Sequence, residues 1–408
     1  MNKKLLNKVV LAYSGGLDTS AIIPWIKENY NLQVVAFIAN VGQEQIELEG
    51  IEKKALDSGA DEVYLLDLRE ELLNSYIYPV IQTGAMYEGN YLLGTSMARP
   101  IIAKSQVELA IKLKAKFLCH GSTGKGNDQV RFEMVYAALG PQLQVIAPWR
   151  EWNFHSREDL LSYLKLKNIP TTATAEKIYS RDSNIWHTST EGGRLEETWN
   201  NTTMDCWIRT VDPILAPNEP EYLTIHVNHG KVNSINHTEM DSLQCLELLN
   251  KIGSKHGIGR IDIVENRLVG IKSRGCYETP GGTIIMKVIR AIEELVLDRE
   301  SMKWRLKLGL DMSYIIYDGC WFSPYRESLQ AASEVLVKLI TGEVKLQLYK
   351  GSITILQKKS IHSLYSKAFS TFEHDEQYTH SDASGFIRLT SLSTRIRAIK
   401  SNQLNNNH

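Results

Sequence analysis

The sequence predicts an α/β protein: a parallel-sheet nucleotide-binding domain, then an α+β domain, then a C-terminal arm. Three observations predict it. Short β-branched runs alternate with helical stretches through the first third of the chain, the pattern of a parallel sheet covered on both faces. The first of these runs ends in a glycine turn, Ser14-Gly15-Gly16, that opens directly into a helical stretch. Past about Pro170 the texture changes to strand-like segments joined by hairpin-type turns.

Taken in order, Lys8 to Tyr13 (KVVLAY) reads as a buried strand. A helical stretch follows from about Ser20 to Asn29, with Ile22, Trp25 and Ile26 on one face. Pro24 is awkward there, because proline is comfortable only in a helix's first turn, so a late start or a kink is expected. Gln33–Ala39 reads as a strand, Gln45–Ser58 as a helix and Val63–Leu68 as a strand. Met97–Lys114 reads as a long helix, Lys116–His120 as a strand, Asn127–Ala138 as a helix and Leu143–Ala147 as the last strand. Ligands in such sheets bind beyond the carboxyl ends of the strands, where the loops at Ser14 and Gly121 fall. Further on, Tyr222–Val227, Arg260–Val269, Val344–Lys350 and Ser352–Leu356 are strand-like. The stretch 363–408 reads as a polar arm with a frayed, Ser/Asn-rich end. The expected domains are therefore 1–170 for the nucleotide, 171–362 for substrates and multimerisation, and 363–408 for an oligomerisation arm.

At 408 residues the chain exceeds one ordinary domain. Its 43% hydrophobic and 23% charged residues are the balance of a soluble globular protein. A formal net charge of −1 argues against a nucleic-acid partner. Five scattered cysteines with no Cys-x-x-Cys pair suggest neither a disulfide framework nor a zinc site, so no metal-binding residues and a reduced cytoplasm are expected. The basic start resembles a signal peptide, but Lys8 interrupts the apolar run and no cleavage site precedes the glycine turn. No membrane span is expected.

The loop SGGLDTS, Ser14 to Ser20, carries the first chemistry. A glycine turn between strand and helix lets backbone N–H groups approach an anion, and the helix dipole adds ~0.3–1 kcal/mol at the surface. Ser14, Thr19 and Ser20 add hydroxyl donors. Missing is the lysine of GxxxxGK[ST], which reaches the terminal phosphates in kinases and ATPases. A loop without it suits pyrophosphate as a leaving group, with the α-phosphate open to attack.

Two further motifs follow. EGNYLLGTSMARP, Glu88 to Pro100, packs Tyr91, Thr95, Ser96 and Arg99 around a glycine before a helix, which suits either a capped helix start or a polar ligand. CHGSTGKGNDQVRFE, Cys119 to Glu133, interleaves glycines with Thr123, Lys125, Asn127, Asp128 and Arg131. Ordering such a loop costs ~1–2 kcal/mol per residue with little apolar burial to offset it, which favours a binding role.

With GRIDIVENRLVGIKSRGCYETPGG, Gly259 to Gly282, these motifs together resemble the argininosuccinate synthase family, of the ATP-pyrophosphatase (PP-loop) superfamily. They stand in that family's order from about Lys8 to Gly282, with weaker similarity through DGCWFSP and LYKGSITIL. The resemblance implies an adenine-nucleotide-α-hydrolase-like first domain. It implies a ligase of arginine biosynthesis: the citrulline ureido oxygen attacks the α-phosphate of ATP, pyrophosphate leaves, and the amine of aspartate displaces AMP from the citrullyl-adenylate. It implies ATP as a substrate, Mg²⁺ to stabilise phosphoryl charge, and a cytoplasmic homotetramer braced by C-terminal segments.

By the same resemblance, Ala12, Tyr13, Ser14, Gly15, Gly16, Leu17, Asp18, Thr19, Ser20 and Ala39 would hold ATP, with Gly121 in the second glycine loop. Tyr91, Ser96, Asn127, Arg131, Ser180, Ser189, Glu265 and Tyr277 match citrulline positions. Thr95, Thr123, Asn127 and Asp128 match aspartate positions. Arg131 can fork onto a carboxylate, Glu265 can receive an N–H-rich end, Asp128 can accept from an ammonium, and Lys125 is placed to neutralise phosphate. Asp128 and Arg131 are the catalytic candidates, Asp128 as a general base. Ser183 stands where the family usually has an acid and Ser122 where alanine is common; Thr198–Cys245 and the arm match poorly. Two rivals remain at this level. A tRNA-modifying relative would call for a basic surface or reactive cysteine pairs, and a non-catalytic regulator for a lost phosphate loop.

Overall fold

A computed structural model describes residues 7–171, 179–367 and 379–405. The chain forms two compact units, Met1–His362 and Ser363–His408. The first begins with five parallel strands: β1 (Lys8–Ala12), β2 (Gln33–Asn40), β3 (Glu62–Asp67), β4 (Phe117–Cys119) and β5 (Gln144–Ile146). They lie in the order β3-β2-β1-β4-β5, so the chain switches direction between β1 and β4. Successive side chains point to opposite faces. Val10, Val35 and Phe37 accordingly join one apolar core, while Val9, Leu11, Val34, Ala36 and Ile38 join another. This double burial is why β1 and β2 read as continuous apolar runs.

The expected alternation is present, with local corrections. The first helix spans Leu17–Tyr30, earlier than expected, and runs on through Pro24. The helix expected over Gln45–Ser58 is two, Gln45–Leu48 and Ile51–Asp57, because Gly50 takes φ +69° between them. Between β3 and the helix Gly94–Lys112 lies a stretch not marked out from sequence. It comprises Arg69–Glu71, a wide π turn over Leu72–Ile77 and Tyr78–Thr83. Its Leu72, Leu73, Tyr76 and Ile77 are all buried.

The rest of this unit holds two antiparallel sheets. One runs β10-β9-β8-β13-β14, from Thr238–Glu239, Lys231–Ile235, Glu221–Asn228, Gly342–Tyr349 and Ser352–Lys359. The other runs β11-β12-β7-β6, from Arg260–Asn266, Lys272–Glu278, Thr188–Glu191 and Ser180–Ser183. Helices Ser242–Lys255, Pro280–Val296, Arg299–Tyr317 and Pro324–Val337 complete it. None was anticipated, although Asp241 with Gln244, Asp298 and Ser323 are capping residues visible in the sequence. One apolar core runs from Val10 to Leu348, so both halves of the unit share it.

In the second unit, the polar arm holds two helices, His380–Thr390 and Leu392–Asn405. The helices were not marked out from sequence, although Phe386, Leu389, Ile396 and Ile399 stand at helical spacing. Residues 368–378 and 406–408 of the arm, including its expected frayed end, lie outside the described residues. Among the described residues no helix is long and apolar enough to cross a membrane.

Candidate active site

The loop after β1 and the loop after β4 leave the sheet at the point where its strand order reverses. A cavity of about 1030 Å³ opens there, which is where open α/β sheets bind ligands. Its floor is the glycine turn Ser14–Thr19, the loop expected to cradle phosphate. Gly15 takes φ +71°, a conformation that L side chains rarely adopt, and a Cβ there would also sit 3.0 Å from Ile51 Cδ1. The Ser14 and Thr19 hydroxyls lie 3.2 Å apart, and the Gly16 N–H points toward Ser14 Oγ at 3.4 Å. Gly15→Ala is expected to destabilise the protein by about 1–2 kcal/mol and to weaken nucleotide binding, measured by thermal melts with and without ATP.

The lysine absent from the loop's own sequence arrives from elsewhere. Lys54, on the helix Ile51–Asp57, donates to the Gly15 carbonyl at 2.5 Å and lines the cavity. Sequence reasoning missed it because nothing in the chain's order places residue 54 beside residue 15.

The opposite wall is one face of the β11-β12-β7-β6 sheet. Antiparallel pairing sets Asp182 beside Ser189 and Ser189 beside Tyr277, and sets Ser180 beside Glu191 and Glu191 beside Gly275. Glu265 pairs with Ser273 on the same face. Alternation of side chains turns these scattered positions into a single polar surface. Gly275 matters here: a Cβ would lie 2.6 Å from the Tyr277 ring, so the glycine lets that ring lie along the strand. The Tyr277 hydroxyl donates to Glu265 Oε1 at 3.1 Å, with Glu191 Oε1 at 3.4 Å.

Two guanidiniums and two carboxylates connect the walls. Asp128 accepts from Arg99 Nε and from Arg131 Nη1, each at 2.9 Å, and Arg99 Nη2 also donates to Asp182 at 2.9 Å. Arg131 Nε donates to the Tyr317 carbonyl, and its guanidinium lies 4.9 Å over the Tyr317 ring. Asn127 is equally committed: its amide donates to the Tyr317 hydroxyl at 2.9 Å and accepts from the Leu268 N–H at 3.0 Å. Tyr91 accepts from the Thr95 N–H at 3.1 Å, capping the helix Gly94–Lys112 through a phenol. Tyr91 and Tyr277 rings stand 4.8 Å apart, with the buried His187 beside both.

The electrostatics divide this wall. Burial would raise Asp128, but the Arg99 and Arg131 charges outweigh it and hold its carboxyl below the usual value. That makes Asp128 a fixed anion and a poor proton acceptor, against the expectation of a general base. Glu265 is pushed up to about 7, first by burial and then by the negative charge of Glu191, with Arg131 opposing. Among the described residues its Oε2 has no hydrogen-bond partner. Glu191 is also raised by burial, offset by its ion pair with Arg267. His187 falls to about 3 through burial and the charges of Arg209 and Arg99, so it is neutral near pH 7.

The cavity brings together Ala12, Tyr13, Ser14, Gly15, Gly16, Leu17, Asp18, Thr19, Ala39, Tyr91, Thr95, Gly121, Thr123, Asn127, Asp128, Arg131, Ser180, Ser189, Glu265 and Tyr277. Ser20 and Ser96 are not in its wall. Ser20 is buried behind the loop, 3.1 Å from the Tyr13 hydroxyl, and Ser96 is fully buried in its helix. Lys125, expected to neutralise phosphate, is exposed and stands outside the lining. Asp182, Glu191 and Arg267, which do line it, carry no assignment from sequence, and Arg99 was marked only as part of the second motif, with no ligand assigned to it. The departures Ser122 and Ser183 both face the cavity, and Ser183 Oγ lies 3.1 Å from the Thr188 hydroxyl. Among the described residues no three His, Cys, Asp or Glu side chains form a metal cage.

Comparison with known proteins places the chain in a family. Residues 8–170 match the model of the arginosuccinate synthase N-terminal HUP domain, and residues 179–397 match that of the arginosuccinate synthase C-terminal domain. The chain is 65% identical over 400 residues to the argininosuccinate synthase of Erwinia tasmaniensis, covering 98% of this chain and 99% of that one. To the enzyme of the same name from Buchnera aphidicola subsp. Acyrthosiphon pisum it is 65% identical over 398 residues, covering 98% and 99%. To that of Photorhabdus laumondii it is 64% identical over 404 residues, covering 99% and 100%.

Proposed function

The chain belongs to the argininosuccinate synthase family, and on that premise we propose how its cavity performs the ligation. It is an ATP-dependent carbon–nitrogen ligase of arginine biosynthesis, joining citrulline to aspartate through a citrullyl-adenylate with release of pyrophosphate and AMP. The observation that supports the reading of the site is the meeting of the phosphate loop and the β11-β12-β7-β6 wall in one cavity. ATP lies along Ala12 to Thr19, Ala39 and Gly121, with its α-phosphorus toward the sheet. Ser180, Ser189, Glu265 and Tyr277 take citrulline from one side and Tyr91, Asn127 and Arg131 from the other. Thr95, Thr123, Asn127 and Asp128 receive aspartate, whose ammonium Asp128 orients as a fixed anion.

Both steps are displacements, so alignment and charge stabilisation supply the acceleration without a covalent enzyme intermediate. Mg²⁺ prefers phosphate oxygens with one or two carboxylates. Asp18, the loop carboxylate that lines the cavity, and the Ser14 and Thr19 hydroxyls fit that donor set. Held there, Mg²⁺ would supply neutralisation of phosphoryl charge. The domains 1–170, 171–362 and 363–408, a cytoplasmic location and a homotetramer braced through the C-terminal arm complete the proposal.

The test is product analysis. AMP and pyrophosphate form in equal amounts, with full turnover only when citrulline and aspartate are both present; ADP as product, or turnover without citrulline, would sink the reading. Ser14→Ala is expected to lower turnover about 10- to 100-fold with the melting temperature nearly unchanged, since it removes a charge-assisted contact to phosphate.

A further inference from the structure

The Ser14–Ser20 loop has no lysine of its own, but the fold brings an ammonium to it from another element. Lys54 sits on the helix Ile51–Asp57, and that helix packs directly on the turn: the space a Gly15 Cβ would need is taken by Ile51. Lys54 is held at its backbone as well. Its carbonyl accepts from the Ser58 N–H at 3.0 Å and the Ser58 hydroxyl at 2.7 Å. Its Nζ donates to the Gly15 carbonyl, a bond that uses one of the three ammonium protons. The group lines the same cavity as Ser14, Gly16 and Thr19.

We propose that Lys54 binds the departing pyrophosphate, supplying from a separate helix the positive charge that the Ser14–Ser20 loop lacks. This rests on the reading of that loop as the cradle of the nucleotide's pyrophosphate end. Two N–H groups remain for phosphate oxygens while the third stays on the Gly15 carbonyl, so the loop itself aims the ammonium. Burial lowers the Lys54 pKa from its ordinary value, a desolvation that a phosphate anion beside it would offset. A charge anchored on the loop's rim stabilises the leaving group without replacing the backbone N–H contacts. It acts on the β,γ end alone, so AMP, which lacks that end, gains nothing from it.

The test titrates inorganic pyrophosphate, and separately AMP, into the full-length wild type, Lys54→Met, Lys54→Arg and Ser14→Ala proteins by calorimetry. Lys54→Met is expected to weaken pyrophosphate about 10- to 100-fold while AMP affinity moves less than about twofold, the span of one or two charge-assisted hydrogen bonds. Lys54→Arg recovers part of the loss. Pyrophosphate affinity unchanged in Lys54→Met but weakened in Ser14→Ala overturns the Lys54 proposal and leaves the loop reading standing. No effect of either substitution on pyrophosphate overturns the loop reading, and the proposal with it. Equal losses of pyrophosphate affinity, AMP affinity and melting temperature in Lys54→Met identify a brace between helix and loop, which also overturns it.

Discussion

Asp128→Asn is expected to lower kcat/KM by about 10³ while the protein stays folded. The carboxylate binds two guanidiniums at once, Arg99 and Arg131, each at 2.9 Å. The Arg131 side chain is only 5% exposed, so an amide in place of the carboxylate leaves a buried cation without its counterion. Hydrogen bonds to charged groups contribute about 1.5–3 kcal/mol each, and losing two of them accounts for a thousandfold drop through misplacement of Arg131 and Arg99. Steady-state kinetics with all three substrates check the drop, and near-ultraviolet circular dichroism checks the packing. A variant within threefold of wild type would show that this ion cluster is structural only.

The second large effect has two signs. Glu265→Gln is expected to raise the KM for citrulline about 10- to 100-fold and, at alkaline pH, to stabilise the protein. The folded value near 7 stands above the ordinary 4.5. As pH rises, the unfolded chain therefore loses this proton first, and the native state is penalised progressively between about pH 4.5 and 7. Below that window both states are protonated and no penalty exists. Above it the full shift is present, amounting to about 3 kcal/mol at most. Glutamine cannot ionise, so the variant should melt higher than wild type at pH 8 and nearly level with it at pH 4.5. Melting curves that run parallel across this range would remove the buried-acid account, whatever the kinetics show.

This carboxyl also illustrates how function opposes stability. Among the described residues Glu265 Oε2 has no hydrogen-bond partner, and Glu191 faces the same Tyr277 hydroxyl. A buried acid with an empty acceptor is a cost in the free protein that an N–H-rich ligand end would repay. Filling the position with a neutral amide relieves the cost and, under the proposed citrulline site, forfeits the recognition.

Much of this was legible in the order of residues. The parallel strands announced themselves because both faces are buried, so apolar residues run unbroken through Lys8–Ala12 and Gln33–Asn40. The phosphate loop and the Cys119–Glu133 loop were legible because a glycine turn and its following helix are local in sequence. Helices in the second half went unmarked although Asp241, Asp298 and Ser323 cap them, because caps are single residues beside weak periodic signals. Gly50 divided a helix that periodicity alone would join.

The chain's own order thus marked the Ser14–Ser20 loop as the expected phosphate cradle, and the long motifs pointed to the family. Only the tertiary structure decided which charges surround the chemistry. It paired Asp128 with two arginines and so took away its basicity, and it raised Glu265 first by burying it and then by setting Glu191 near it. It also carried Lys54 to a loop whose own sequence has no lysine. The physical reason is common to all three. A charge's behaviour depends on burial and on neighbours within a few ångströms, and those neighbours come from strands and helices far apart in the chain.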